Sequence, residues 1–352
     1  MSPAGEEATP YQQIQDVENR VLLLAHQLEQ LRAHVQQMKL AAVPRMGWNH
    51  WFRHQIKLAL GIRVHLGCLS FPCTPRPVHV PARYHCKPVL TNPPVISVVT
   101  PSYNQGAFLE KTITSVLDQE YPRLQYVVQD GGSTDETAGV LALYRDRLHH
   151  SEMRKDKGQS NAINLGFAHT SGEIMAYLNS DDLLLPGALH TVAKYFEDHP
   201  EVDVVYGHRV VIDRDGNELG RWVLPPHDTE ILKWADYVPQ ETMFWRRRIW
   251  DKVGGGIDES FRFAMDWDLL LRFQEAGARF HRIGRFLGAF RLHSTSKTTT
   301  VVKTTGSEEM ARLRERCHGR EVTGEEIQYG IRRYLLRHAL CNRMYTFGLF
   351  RY

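Results

Sequence analysis

The spacing of hydrophobic positions changes along the chain. Between residues 11 and 40, apolar side chains recur at alternating intervals of three and four, which predicts a helix with a heptad seam. The seam is formed by Ile14, Val17, Val21, Leu24, Leu28, Leu31, Val35 and Met38. Such a seam favours a dimer or trimer of this chain through residues 11–40, although a long helix lying on its own domain would show the same pattern.

From residue 95 onward, β-branched runs alternate with helical periodicity, as in VISVVTP followed by GAFLEKTITSVLDQ. Strands and helices alternating at this spacing predict an α/β fold with a doubly wound, mostly parallel sheet, a Rossmann-like arrangement with flanking helices. Farther on, the pattern predicts a hairpin around Asp215 and Gly216, a helix over AMDWDLLLRF, and a last strand pair ending at FRLHSTSKT.

These patterns divide the chain into four segments. A coiled-coil oligomerisation helix is expected over residues 1–42, followed over residues 43–94 by a basic amphipathic helix and a linker with seven prolines between residues 71 and 94. The α/β domain is expected over residues 95–305. A C-terminal helical extension is expected over residues 306–352.

Charge changes the interpretation of the second segment. No Asp or Glu lies between Glu29 and Glu110, whereas nine Lys and Arg do, although the net charge of the whole chain is only +3. Interleaved with tryptophans, these basic residues favour contact with an anionic membrane surface, and the alternative is a helix docked on the α/β domain. No apolar run is long enough for a membrane span.

Five cysteines in no regular framework, without a secretory signal, are typical of reduced thiols in the cytoplasm. The chain is therefore expected to be cytoplasmic or peripheral on the inner face of the membrane. No nucleic-acid partner is expected.

The first strands of the predicted sheet end in polar residues, where ligands of open α/β sheets bind. Neither GxGxxG nor GxxxxGK[ST] occurs there, which argues against a dinucleotide dehydrogenase and a P-loop NTPase. A nucleotide site at these ends would use residues from three stretches, TPSYNQG, QDGGSTDET and NSDD. They are Thr100, Pro101, Tyr103, Asn104, Asp130, Gly131, Ser133, Asn179 and Ser180.

Adjacent carboxylates at Asp181 and Asp182 follow a buried strand. Carboxylate oxygens there suit Mg²⁺ or Mn²⁺, which in turn would hold a diphosphate, although Asp also occurs routinely in helix caps and turns. Asp266 and Asp268 lie at the start of an amphipathic helix. They either interact favourably with the helix dipole or supply a general base. His293 could complete the metal shell or cap its strand.

Residues 95 to 297 resemble glycosyltransferase family 2, the inverting enzymes of GT-A fold that use nucleotide sugars. Seven blocks match in the family's order: VVTPSYNQGAFLEKTITSVLDQEYP, VVQDGGSTDET, DKGQSNAINLGF, YLNSDDLLLPGAL, VPQETMFWRR, AMDWDLLLRF and FRLHSTSKT. Similar enzymes need a divalent cation, Mn²⁺ or Mg²⁺, beside the nucleotide-sugar co-substrate.

The resemblance implies a role for each matching residue. Pro101 and Tyr103 would cradle the base, and Asp130 would accept a hydrogen bond from a uracil-like imide. The metal would be held by Asp181, with Asp182 beside it, and by His293, and Asp266 would be the catalytic base. The donor side would be lined by Asp156, Gly158, Gln159 and Asn161.

Two positions depart from the family's pattern. Asn179 stands where the metal motif usually begins with Asp, which removes one carboxylate but keeps a group able to hydrogen-bond a ribose hydroxyl. Met265 replaces the acid that often precedes the base, which removes a like charge that would tune the pKa of Asp266.

Taken together, the sequence predicts an inverting glycosyltransferase that moves a sugar from a UDP-linked donor to a hydroxyl of a glycan or lipid-linked polysaccharide. Two other functions are considered, a metal-dependent sugar nucleotidyltransferase and a non-catalytic glycan-binding scaffold. Acceptor choice is expected to depend on residues 220–260, which are rich in aromatic side chains. The predicted acceptor-binding residues are Gln240, Trp245, Trp267 and Asp268.

Overall fold

The structure is a computed structural model that describes residues 74–293, 305–350 and 352. The heptad seam and the basic amphipathic helix lie outside the described residues, so the oligomer and the membrane contact stay predictions from sequence. Within the described ranges, no helix combines the length and the apolar character that crossing a bilayer requires. The cysteines of the described ranges, Cys86, Cys317 and Cys341, are free thiols.

A ten-stranded sheet forms the centre of the described chain. Its strands are β1 (Arg76–Pro77), β2 (Ile96–Ser102), β3 (Leu124–Asp130), β4 (His150–Met153), β5 (Ile174–Tyr177), β6 (Leu183–Leu184), β7 (Val204–Ile212), β8 (Asn217–Trp222), β9 (Phe244–Arg246) and β10 (Phe280–Arg291). The helices are α1 (Gly106–Leu117), α2 (Thr137–Tyr144), α3 (Gln159–Ala168), α4 (Ala188–Asp198), α5 (Thr229–Leu232), α6 (Arg247–Lys252), α7 (Met265–Glu275), α8 (Ser307–His318) and α9 (Gly324–Thr346). Short 3₁₀ turns occur at Ala82–His85, Arg145–Arg147 and Gln240–Thr242.

The sheet has a parallel half and a mixed half. Strands β4, β3, β2 and β5 are neighbours in that order and all parallel, so their carboxyl ends share one edge. Beyond β5 the order continues with β9, β7, β8 and β1, and β10 pairs parallel to β7 and antiparallel to β6. The predicted α/β class with a Rossmann-like sheet is confirmed, and the predicted hairpin is the pair β7 and β8.

The predicted last strand pair is wrong. One strand of 12 residues, β10, covers this segment. Its register against β7 shifts between Arg282 and Phe286 and again before Gly288. The glycines at these irregularities interrupt the alternation in the sequence as a turn would, which explains the misreading.

Side chains of the parallel strands alternate between two hydrophobic layers. On one face, Val98 and Val128 pack with α1, α2 and α4. On the other, Val99 and Val127 belong to a core that includes α3 and α7. Because both faces are covered, the strands are continuous apolar runs, and their polar residues are confined to the ends.

The C-terminal segment adds α8 and α9 to the second layer. Leu313, Ile331 and Tyr334 are buried in the same core cluster as Trp267 of α7. These two helices therefore support α7, the element that carries the predicted catalytic base.

Candidate active site

The loops that follow β2 and β3 are joined by hydrogen bonds between their polar side chains and backbones. Asn104, with a positive φ of 51°, donates its backbone N–H to Ser133 Oγ at 2.7 Å, and its Oδ1 accepts from the Thr134 N–H at 3.0 Å. Gly106 N–H, at the start of α1, donates to Asp135 Oδ2 at 2.8 Å. The two strand ends are thus held together, and Tyr103 beside them is 63% exposed, free to stack on a ligand.

Asp130 has a different role from the one predicted. It is fully buried, and its Oδ1 accepts from the N–H groups of Gly132 and Ser133 at 3.0 and 2.8 Å. Its Oδ2 accepts from Ser133 Oγ at 2.6 Å. Both carboxylate oxygens therefore hold the turn after β3, and the predicted contact with a uracil imide is not supported.

The side chain of Thr100 also faces away from the edge at which the parallel strands end, which is the predicted donor side and is called the donor edge below. Its hydroxyl is fully buried and lies 3.0 Å from Tyr126 Oη, in the sheet interior. Ser180 is buried as well, and its backbone carbonyl accepts from Thr112 Oγ1 at 2.8 Å. Pro101 is buried at the end of β2, beside the exposed Tyr103. Of the four, Tyr103 alone is available to a ligand.

Asp156 is a partly exposed carboxylate at this edge. It is half-buried, its Oδ1 accepts from the Gly158 N–H at 2.7 Å, and it approaches Gly131 so closely that a Cβ there would lie 2.9 Å from Asp156 Oδ2. Gly158 has a φ of 116°, which favours glycine, at the start of α3. Glycines at these two positions therefore bring the β3 turn and the α3 loop into contact. Asn161, one turn into α3, holds the same loop through its Oδ1 and the Lys157 N–H at 3.2 Å.

A chain of side-chain amides crosses the edge from α3 to the second half of the sheet. Gln159 Nε2 donates to Asn179 Oδ1 at 2.6 Å, and Asn179 Nδ2 donates to Gln240 Oε1 at 3.0 Å. Gln240 Nε2 in turn donates to the Tyr177 carbonyl at 2.7 Å. The amide of Asn179, where similar enzymes carry Asp, supplies both a donor and an acceptor to this chain, which a carboxylate does not.

Asp181 and His293 come together as predicted, although 112 positions separate them. Asp181 Oδ2 lies 2.8 Å from His293 Nε2, and the Asp181 carbonyl accepts from Arg291 Nε at 2.8 Å. Asp182 points inward: it is 1% exposed, and its Oδ1 accepts from the Arg291 N–H at 3.0 Å. Burial and the neighbouring Asp181 raise the pKa of Asp182 well above its usual range.

Asp181, Asp182 and His293 do not bring three ligand atoms within 4.8 Å of one another. Asp181 and His293 are thus a directly contacting pair, and Asp182 supports the turn through its hydrogen bond with the Arg291 N–H.

Asp266 lies in the first turn of α7, where its Oδ1 accepts from the Trp267 N–H at 2.9 Å. Burial raises its pKa to about 6, offset in part by its hydrogen bonds to the Trp267 and Asp266 N–H groups and by the positive charge of Arg209. Arg209 forms a bidentate ion pair with the buried Glu241, at 2.8 and 2.5 Å. The charge of Arg209 lowers and that of Glu241 raises the pKa of Asp182 as well as that of Asp266.

Asp236, which the sequence patterns did not single out, belongs to the same group of acids. Its pKa is raised well above the usual range by burial and by the charge of Asp266. Its Oδ1 accepts from the Val238 N–H at 3.2 Å. Buried carboxyls with raised pKa values, as at Asp236 and Asp266, are found more often at functional sites than elsewhere.

The N-terminal end of α7 is fixed by residues of two other helices. Glu309 of α8 is buried, and its carboxylate accepts from the N–H groups of Arg262, Phe263 and Ala264 at 2.7 to 2.9 Å. Met265, which replaces an acid often found in similar enzymes, has its Sδ 3.0 Å from Ser160 Oγ of α3. These contacts hold the loop before Asp266 in one position against the donor side.

Residues 97–255 match the sequence model of glycosyl transferase family 2. The predicted resemblance to this family is confirmed over these residues. The chain is 31% identical to the O-antigen biosynthesis protein RfbC of Myxococcus xanthus over 205 residues, which are 57% of this chain and 16% of that protein. The chain matches between 16% and 27% of the length of the first curated relatives.

Solved structures show the same fold as this transferase domain. TarS of S. aureus (residues 1–349), in complex with UDP-GlcNAc, superposes with a TM-score of 0.54 at 16% identity, over 69% of this chain and 72% of that one. The mannosyltransferase PcManGT of Pyrobaculum calidifontis, in complex with GDP-Man and Mn²⁺, superposes with a TM-score of 0.51 at 18% identity, over 83% of this chain and 76% of that one. The fold is therefore of the GT-A type.

All four predicted acceptor residues are buried, Gln240 with 7% of its surface exposed and the other three with 1% or less. Trp245 and Trp267 are fully buried in the core, and Trp267 Nε1 donates to the Leu232 carbonyl at 2.7 Å. Asp268 is 1% exposed and pairs with Arg272 Nε at 2.8 Å and Arg316 Nη1 at 2.6 Å. The prediction of acceptor binding for these three is wrong, and Gln240 takes part only through the amide chain.

The substitution Asp268→Asn should therefore lower the stability of the fold and leave acceptor binding unchanged. Removing the charge leaves Arg272 and Arg316 without their carboxylate, which should lower the free energy of unfolding by about 1–3 kcal/mol. Urea denaturation of both proteins measures the change, and the acceptor KM should stay within a factor of two or so. Unchanged stability combined with a raised acceptor KM would restore the original assignment.

Proposed function

We propose that the protein is an inverting glycosyltransferase that moves a sugar from a nucleotide-sugar donor to a hydroxyl of a saccharide acceptor. The observation that carries the proposal is the contact of α3 with both parts of the site. Ser160 Oγ of α3 lies 3.0 Å from Met265 Sδ, next to Asp266, and the neighbouring Gln159 donates to Asn179 Oδ1 at 2.6 Å, in the turn that carries Asp181. Direct displacement at the anomeric carbon requires a base and a group that holds the diphosphate near each other.

The donor is proposed to be UDP-linked. A nucleotide lying on the joined strand ends would place its base against the exposed ring of Tyr103 and its ribose near the amides of Gln159 and Asn179. Asp156 is the accessible carboxylate for a uracil imide, in place of the buried Asp130. The UDP-GlcNAc complex of TarS supports this placement of the donor on a related fold.

Asp181 and His293 fit a divalent cation, Mn²⁺ or Mg²⁺. Their ligand atoms lie 2.8 Å apart, near the roughly 3 Å that separates adjacent ligands of an octahedral ion with metal–ligand distances of about 2.1 Å. Bound there, the cation would neutralise negative charge on the leaving diphosphate. The complex of PcManGT with GDP-Man and Mn²⁺ supports this proposal.

Asp266 removes the proton from the acceptor hydroxyl as that oxygen attacks the anomeric carbon from the side opposite the diphosphate. Proton transfer is late, because the pKa of an alcohol lies far above that of any carboxylate, and the raised pKa of Asp266 narrows this gap. One displacement without a covalent intermediate inverts the configuration of the sugar.

The acceptor is proposed to be a growing or lipid-linked polysaccharide. The relative named as an O-antigen biosynthesis protein supports a saccharide of this kind.

The pH dependence of transfer should follow the ionisation of Asp266. Below pH 6 the carboxyl is protonated and cannot accept the hydroxyl proton, so kcat/KM should fall about tenfold for each pH unit below about 6. Above pH 7, about nine-tenths or more of the base is ionised, and the rate should reach a plateau. Initial rates between pH 4.5 and 8.5 test this, and an acid limb near pH 4 would contradict it.

Donor hydrolysis tests the proposed function as a whole. The purified protein is incubated with Mn²⁺ and a panel that includes UDP-GlcNAc, UDP-glucose, UDP-galactose and GDP-mannose, and release of nucleoside diphosphate is followed. Slow, metal-dependent release from one UDP-sugar is expected, and NMR of the first product should show the inverted anomer. Binding without turnover would favour the scaffold. Formation of UTP and sugar 1-phosphate in a parallel sample with added pyrophosphate would favour the nucleotidyltransferase.

A further inference from the structure

Three metal-ligating side chains lie together at the edge of the sheet, away from the donor residues. His150 and Glu152 are two positions apart on the edge strand β4 and therefore project from the same face. His169 follows the last turn of α3. One ligand atom from each lies within 4.8 Å of the others. His150 begins β4, whereas Asp156 follows its carboxyl end, so the group is displaced along the strand from the donor edge.

The imidazole rings of His150 and His169 pack directly against each other. Their rings are stacked, with centroids 3.9 Å apart and planes inclined by 17°. His150 Nε2 is buried and has no hydrogen-bond partner within the described chain. A buried imidazole nitrogen without a partner destabilises the fold unless a ligand satisfies it. A bound cation would be such a ligand.

The carboxylate of the group is oriented by a neighbouring strand. Gln129 of β3 donates through Nε2 to Glu152 Oε2 at 3.2 Å, and Gln129 Oε1 is buried without a partner in the described chain. Arg154 Nε lies 3.5 Å from Glu152 Oε1 but is 61% exposed, so solvent weakens this ion pair. An amide that holds a ligating carboxylate is the usual second layer of a metal site.

We propose that His150, Glu152 and His169 bind Zn²⁺. Two imidazoles and one carboxylate suit zinc, whereas Mg²⁺ and Mn²⁺ prefer sites in which oxygen ligands predominate, as at Asp181 and His293 with a diphosphate. Three protein ligands leave one position of a tetrahedral ion to water. This site is separate from Asp181 and His293, and it does not depend on the proposed function.

Zinc at this position joins two elements that support the donor side. It connects β4, whose one partner among the described strands is β3, to the C-terminal end of α3. The opposite end of α3 carries Gln159 and Asn161 at the donor edge. Zinc therefore stabilises the nucleotide-binding half of the sheet without touching the substrate.

The test compares zinc binding by three full-length proteins after treatment with a chelator. They are the unmodified protein, His169→Ala and the control His149→Ala, whose exposed histidine is next to His150 on the other face of the strand. Zn²⁺ is titrated against a competing chromophoric chelator, and thermal unfolding is recorded with and without Zn²⁺. His169 is exposed, so its replacement should leave the zinc-free Tm unchanged.

The unmodified protein and His149→Ala should each bind one more equivalent of Zn²⁺ than His169→Ala. At a hundredfold excess of Zn²⁺ over Kd, their Tm should rise by roughly 5 °C, and this rise should be absent in His169→Ala. Crystals soaked in Zn²⁺ should give an anomalous peak among the three side chains. Equal stoichiometry and equal Tm shifts in all three proteins would overturn the proposal.

Discussion

Replacing Asp266 with asparagine should lower the rate of sugar transfer by a factor of 10² or more while leaving the Kd for the donor nearly unchanged. The amide keeps the size of the side chain and can still accept from the Trp267 N–H, but it cannot take a proton from the acceptor hydroxyl. Steady-state kinetics gives the rate, and calorimetric titration with the donor gives the affinity.

The control for this variant is Glu275→Gln, at the exposed C-terminal end of the same helix. It makes the same chemical change of carboxylate to amide, and it should leave both rate and donor affinity within a factor of two or so. A large loss of donor affinity in Asp266→Asn would mean that this residue supports the donor site. Its role as general base would then be wrong.

The raised pKa of Asp266 adds a second signature to the same experiment. The acid limb of the rate near pH 6 should disappear in Asp266→Asn, because the titrating group is gone. Residual transfer should then vary little with pH between 5 and 7. An acid limb that persists at the same pH would assign it to another carboxyl, for example Asp236, whose pKa is also raised by burial.

The parallel half of the fold was predictable from the sequence because both faces of its strands are covered. The continuous apolar run VISVVTP follows from burial of both faces of the strand. The spacing of Leu109, Ile113 and Val116 follows from burial of one face of the helix. The long strand β10 was not predictable, because its register shifts interrupt the alternation of apolar and polar residues on which the prediction depends.

The candidate site was predictable only in part, because side-chain orientation is set by contacts distant in sequence. Asp181 and His293 were found through the resemblance, and the structure brings them together across 112 positions. Trp245 and Trp267 were assigned to the acceptor because aromatic residues suit sugar rings, yet tertiary packing buries both. Nothing in the local sequence distinguishes these two cases.

The ion pair of Arg209 and Glu241 and the cap that Glu309 forms on the loop before α7 were missed for the same reason. Arg209 and Glu241 are 32 positions apart, and Glu309 is 45 positions from the nearest N–H that it accepts. Each joins elements whose proximity follows from the sheet order rather than from any local pattern. A buried carboxylate of this kind is visible only once the fold is known.

Replacing Asp181 with asparagine should abolish the activation of transfer by Mn²⁺ and lower the rate at saturating donor by 10² or more. The amide is a poorer ligand for a hard cation than a carboxylate, and negative charge on the leaving diphosphate would then be less well neutralised. His293→Ala, which removes the other ligand atom of the 2.8 Å pair, should have a similar effect. The double variant should lose little more than either single one, because both remove the same function.

The matched control is Asp215→Asn, an exposed carboxylate in the turn between β7 and β8. It should keep the Mn²⁺ dependence of the unmodified protein. Binding of Mn²⁺ is measured by electron paramagnetic resonance in the presence of UDP, so that loss of the ion is separated from loss of chemistry. Full activity of Asp181→Asn in a chelator would show that transfer needs no cation, and charge on the diphosphate would then have to be neutralised by the protein's own cationic side chains.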